Sequence, residues 1–137
     1  MIMIKVKPLF GGFGKSGERV SEQDGIYALE GKGTDIGCNL VLQEEINNPS
    51  LLELEIRGEI KKESEWTRLR IEIFDRNKPD VPATSFENEY LPLDLNPENF
   101  KHISFPILGI VKSPIKIQFM VVGPAEARLE IRNVTVR

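Results

Sequence analysis

Four stretches of the chain alternate apolar and charged residues with period two. Leu52, Leu54, Ile56 and Ile60 interleave with Glu53, Glu55, Arg57 and Glu59, and Leu69, Ile71 and Ile73 with Arg68, Arg70 and Glu72. Ile115, Ile117, Phe119 and Val121 interleave with Lys116 and Gln118, and Leu129 and Ile131 with Arg128, Glu130 and Arg132. Successive side chains of a strand point to opposite faces, so each stretch offers one face to a core and one to water. Parallel sheets covered by helices need apolar residues on both faces, whereas antiparallel sheets do not. The pattern predicts an all-β, antiparallel fold.

A chain of 137 residues fits one domain large enough to bury a core without disulfide staples. We expect a single β-sandwich over 1–137, with 1–23 an N-terminal strand and Gly-rich loop and 24–137 the main sandwich. The net charge of −3 and the lack of any Lys/Arg cluster argue against a nucleic-acid partner. No run approaches the ~18 apolar residues of a membrane span, so no membrane insertion is expected. Cys38 is the only cysteine, which excludes an intrachain disulfide and a multi-cysteine zinc site. Its place in the alternation Ile36, Cys38, Leu40, Leu42 makes it a core residue. The start, Met1 to Lys5, lacks the apolar core of a secretory signal. The expected location is cytoplasmic if the chain is complete and extracellular if it is an excised module.

Turn chemistry divides the chain. Ile2 to Lys7 reads as a strand stopped by Pro8, Gly11 to Gly17 as a flexible loop, and Glu18 to Gln23 as a short helical turn before Asp24-Gly25. Strands are expected at Ile26–Leu29, Ile36–Leu42 and Leu51–Lys61, with Gly58 a bulge or point of close approach. The charged turn Lys61 to Glu65 suggests a hairpin into Trp66–Asp75. Thr84 to Leu95 is irregular, with Pro92 at an edge, and Asn96 to Asn99 is a turn. Phe100–Ile107, Ile115–Val122 and Ala127–Val136 complete about nine strands, with a bulge near Asn133 where the apolar parity changes. Many short strands with turns between them predict a two-sheet sandwich or a barrel.

Tempting motifs fail on their chemistry. Gly14-Lys15-Ser16 ends like a phosphate-binding loop, but Leu9 stands where its first glycine belongs and no helix can extend past Gly25. Glu53, Glu55 and Arg57 share one strand face, as alternate acids do in strand-borne glycosidases. Retaining hydrolysis needs two carboxyl groups about 5–5.5 Å apart. The jelly-roll glycosidases of this kind carry a third acid, and Arg57 occupies that place. His102 is the only histidine, on the expected outer face opposite Ile103 and Phe105, with no partner spacing for zinc. Trp66 and Tyr90 are the better candidates. Their flat rings stack on sugar rings while planar Arg and carboxylate groups bond the hydroxyls, and Trp66 shares its parity with Arg68, Arg70 and Glu72. The competing reading has Trp66 start a strand and cap the core.

From Asp24 to Arg137 the layout resembles the jelly-roll carbohydrate-binding modules related to galactose-binding-type domains. The likeness rests on Leu51-Leu52-Glu53-Leu54-Glu55-Ile56-Arg57-Gly58, on Leu69-Arg70-Ile71-Glu72-Ile73-Phe74-Asp75, and on the closing Ala127 to Val136 with its apolar-x-Asn-apolar ending. The resemblance implies a non-catalytic sandwich of jelly-roll type that binds a glycan in a sheet groove or at its loop end. It makes Trp66, Arg68, Arg70 and Glu72 the groove, with Glu53, Glu55 and Arg57 next to them and Tyr90 nearby. Such domains often carry a structural calcium, for which Asp24, Glu30 and Glu130 are the oxygen donors on offer, although no ligand spacing marks them. Low aromatic content, 7% with one Trp, favours a soluble chain or small sugar over flat crystalline polysaccharide. The alternatives are a structural or protein-interaction sandwich and, behind it, a small glycan-active enzyme.

Overall fold

The computed structural model describes residues 4–14, 17–46, 48–75, 78, 80–82, 84–87, 95–108 and 114–137. Among them the chain forms nine strands and no helix: β1 (Ile4–Lys5), β2 (Leu9–Gly12), β3 (Glu18–Gln23), β4 (Ile26–Val41), β5 (Leu51–Lys62), β6 (Arg68–Phe74), β7 (Thr84–Glu87), β8 (Lys101–Pro106) and β9 (Lys116–Val136). Among the described residues no helix is long and apolar enough to cross a membrane. Every pairing between strands is antiparallel, as the period-two pattern requires.

The architecture is a jelly-roll sandwich built around one long ribbon. β4 and β9 pair along nearly their whole length, from Tyr27 opposite Ile131 to Val41 opposite Lys116. The first half of β9 has β6 on its other side, and the second half has β5. One sheet therefore runs β2, the end of β4, the start of β9, β6 and β7. The other runs β3, the start of β4, the end of β9, β5 and β8, with β1 joined to the last residues of β9. We call these the first and second sheets.

Where the ribbon passes from one sheet to the other, its register shifts between Thr34 and Ile36. Asp35 there has φ 57° and Gly123 opposite has φ 90°, both in the left-handed region. Val122 and Gly123 of β9 stand opposite the single residue Asp35, and the Gly123 amide donates to Asp35 Oδ1 at 2.8 Å, so the side chain supplies the acceptor that the interrupted ladder lacks.

The inward side chains of both sheets meet in one core. Ile117, Phe119 and Val121 from the start of β9 join Leu129 and Ile131 from its end, with Leu54, Ile56, Ile71, Ile73 and Phe105 packed among them. Burying a side chain of this size is worth about 1.5–3 kcal/mol. Cys38 lies in this core, and burial pushes its thiol up to about 12, so it acts as a small hydrophobe.

Several expectations are corrected. The β5–β6 hairpin does not form. Each strand pairs with a different half of β9, and Glu63 to Thr67 is a crossover between sheets. Gly123-Pro124 bends β9 without breaking it, and the two strands expected within 26–42 are one, β4. Glu18–Gln23 is a strand along the edge of β4, because that edge satisfies its backbone groups better than an isolated helical turn would. The expected loop at Gly11-Gly12 belongs to β2. Asn133 does carry the bulge, with φ 53° and a register shift opposite Glu53 and Glu55. Gly58 is a close approach: a Cβ there would stand 2.1 Å from the Arg128 carbonyl oxygen. Tyr90 and Pro92 lie outside the described residues.

Candidate functional site

Antiparallel register brings the outward residues of four strands of the second sheet into rows. Arg19, Glu30, Arg128 and Glu59 make one row across β3, β4, β9 and β5. On one side lie Ser21, Ala28, Glu130 and Arg57, and on the other Lys32, Glu126 and Lys61. Charge alternates along the first and third rows, so neighbours attract across the strands. Arg19 meets Glu30 at 2.9 Å, Arg57 meets Glu130 at 2.9 Å, and Arg128 meets the same Glu130 at 3.1 Å.

These rows floor a groove. Its widest part, about 670 Å³, lies over Glu30, Arg128, Glu59, Lys61 and Glu126, with Gly17 to Arg19 as one wall. A hollow of about 340 Å³ opens above Ala28, where the small side chain leaves a gap between Ser21 and Glu130. A third, of about 290 Å³, lies between Arg57 and Pro97. Arg128 lines all three. The turn Asn96–Asn99 closes this end. Asn96 Oδ1 accepts from the Glu98 and Asn99 amides at 2.7 and 3.1 Å, and the Asn96 carbonyl accepts from Gly58 N at 3.0 Å.

The rim next to Pro97 is held by cations on an aromatic ring. The guanidinium carbons of Arg57 and Arg132 lie 4.3 and 3.7 Å from the centre of the Phe100 ring. Glu55 accepts from Asn133 Nδ2 and from Arg132 at 3.0 Å. The Asn133 hydrogen bond, opposed by partial burial and reinforced by Arg132, lowers the Glu55 carboxyl below its ordinary value. A proton donor in glycoside hydrolysis needs the opposite shift. His102 faces outward, as expected, with Nε2 3.1 Å from Glu53 Oε2.

The structure divides the residues expected to form one site. Glu53, Glu55 and Arg57 lie on the second sheet, and Arg57 alone of them lines the groove. Arg68, Arg70 and Glu72 lie on the first sheet, opposite Val122, Met120 and Gln118, and so are not beside β5. Glu72 is buried and accepts from Gln118 Nε2 at 3.4 Å. Trp66 is in the crossover between the sheets, 56% exposed. Arg19, Glu30, Glu59, Lys61, Glu126 and Arg128 were not among the expected binding residues. Their common outward parity is visible strand by strand, but their adjacency depends on register.

The three oxygen donors on offer for calcium have other partners or stand in a turn. Arg19 neutralises Glu30, Arg57 and Arg128 neutralise Glu130, and Asp24 sits in the β3–β4 turn. Among the described residues no three acidic, His or Cys groups converge. What the groove does offer is planar guanidinium and carboxylate groups in alternation. That set donates and accepts hydrogen bonds over a polar surface that carries both signs of charge.

No protein-family model and no curated protein matches the chain. Solved structures do. A variant of the module CBM29-2 complexed with mannohexaose superposes with TM-score 0.62 at 11% identity, covering 97% of this chain and 86% of that one. Another CBM29-2 variant, complexed with cellulohexaose, gives 0.60 at 12% identity, over 92% and 78% of the two chains. A further structure of a family 29 carbohydrate-binding module gives 0.60 at 12% identity, over 92% and 76%. At these identities the likeness is one of fold: this chain has the jelly-roll fold of the family 29 carbohydrate-binding modules.

Proposed function

We propose that this protein is a non-catalytic carbohydrate-binding module that takes a soluble glycan chain into the groove of its second sheet. The observation that carries this reading is the groove itself, with Arg128 reaching into each of its three hollows on a fold shared with modules solved in complex with hexasaccharides. Sugar hydroxyls both donate and accept, and alternating Arg, Lys and Glu provide partners for both roles along a path. Glu130 holds Arg57 and Arg128 from below, which limits the side-chain entropy lost on binding. No bond is broken in this reading, and Glu55 is held ionised by its neighbours, unsuited to donating a proton.

Affinity electrophoresis through gels containing soluble β-linked glucan or mannan tests it. Wild type should be retarded, and Arg128→Ala should bind at least about tenfold more weakly, the equivalent of about 1.4 kcal/mol. Because the Arg128 side chain is 66% exposed, its loss should leave the unfolding midpoint nearly unchanged. Retardation unaffected by Arg128→Ala would place the ligand elsewhere, and no retardation with any glycan would remove the reading.

A further inference from the structure

Charge is shared unevenly along the groove. Its widest part is lined by four cations and four anions, and the hollow at Pro97 by two of each. The hollow over Ala28 differs, because Arg19 and Arg128 line it against Glu30 alone. Register explains the excess. Arg19 and Arg128 stand on either side of Glu30, on β3 and β9. Arg19 reaches across to Glu30, its Nη2 2.9 Å from Oε1. Arg128 turns along its own strand instead, and its Nη2 meets Glu130 Oε1 at 3.1 Å. Glu130 Oε2 already accepts from Arg57 at 2.9 Å. In this set of ion pairs three guanidinium groups share two carboxylates, which leaves one positive charge in excess.

Ala28 decides where that charge can be met. It stands between Ser21 and Glu130 in the next row, and its methyl group leaves the hollow open beside Arg19 and Arg128. A glutamate side chain at this position would balance the network from within and fill the space. Each of the two guanidinium groups spends one terminal nitrogen on its carboxylate and keeps the other donors of its planar fork. A carboxylate matches that fork in shape and in charge.

We propose that the hollow over Ala28 is a subsite for the carboxylate of a uronic acid, so that the preferred glycan is a mostly neutral chain bearing isolated acidic sugars. The inference rests on the glycan reading of the groove and adds the charge of the ligand. A densely charged polyuronate fits badly, because Glu18, Glu59 and Glu126 line the widest part and the net charge of the chain is −3. The side chains of Arg19 and Arg128 are 80% and 66% exposed, so water and salt screen the pairing and the gain is modest.

Calorimetry tests this with soluble β-glucomannan and with the same polymer carrying carboxylates at a small fraction of its C6 positions. At low salt, wild type should bind the sparsely oxidised polymer about threefold to fivefold more tightly. Reducing the carboxylates back to alcohols should return the parent affinity. The readout is the ratio of the two affinities, since misfolding or a general loss of the groove weakens both alike. Arg19→Gln should bring the ratio down to about one. Glu30→Gln removes a competing carboxylate and should raise it above the wild-type value. A wild-type ratio of one or less, with the parent polymer bound, overturns the subsite and leaves the groove standing. A ratio unmoved by both substitutions also overturns it, because the carboxylate is then held elsewhere. Glucomannan sulfated at C6 and bound as tightly as the oxidised polymer overturns the choice of a carboxylate. Binding of neither polymer removes the glycan reading and the subsite together.

Discussion

Glu55 shows how one side chain links the polar face to stability. Asn133 reaches it only because the bulge turns that residue to φ 53°, and Arg132 approaches from the neighbouring strand. Both favour the ionised carboxylate, so its value in the folded protein lies below that in the unfolded chain. Between those two values the unfolded state binds more protons. The stabilisation is therefore complete above the unfolded value and is lost as pH falls through the folded one. Glu55→Gln should cost about 1 kcal/mol at neutral pH. Denaturant unfolding at about pH 7 and about pH 3 should then show a smaller acid-induced loss in the variant than in wild type. Identical losses would mean that Glu55 is not held in this way. Of all this, the sequence pattern showed the outward place of Glu55 and the bulge near Asn133, through the parity change between Ile131 and Val134. That the two meet depends on which strand lies beside which.

At the level of elements, the corner where β4 and β9 change sheets holds the structure's shape. Asp35 combines a left-handed backbone with the one carboxylate oxygen that receives the Gly123 amide. Asp35→Ala removes the acceptor and puts a strained residue in the bulge, and should cost about 2 kcal/mol in chemical denaturation. Asp35→Asn keeps an acceptor and tolerates the left-handed region, and should cost less than half as much. Equal midpoints for all three proteins would show that the corner is held by other contacts. Gly123-Pro124 read as the end of a strand because local punctuation does not distinguish a stop from a bend. The charged turn at Lys61–Glu65 read as a hairpin for a related reason. A crossover between sheets and a hairpin loop have similar composition, and only the partner of each strand tells them apart.

For the molecule as a whole, the alternation contained the fold class and the identity of most core residues, since period two assigns inside and outside without reference to neighbours. The groove was less legible. Arg19, Glu30, Arg128 and Glu59 come from four strands spread over much of the chain, and pairing alone makes them a row. The expected site on Trp66, Arg68, Arg70, Glu72, Glu55 and Arg57 joined β5 and β6 through a hairpin that does not exist. Separating them leaves Arg57 lining one hollow of the groove and puts Arg68, Arg70 and Glu72 on the first sheet. Whether this surface binds a glycan chain is decided by a calorimetric titration of the intact wild-type protein with cellohexaose and mannohexaose. A saturable heat with at least one of them, at a Kd between about 1 μM and 1 mM, is the predicted result. Flat titrations with both, for protein whose circular dichroism shows the folded β-sandwich, would contradict it.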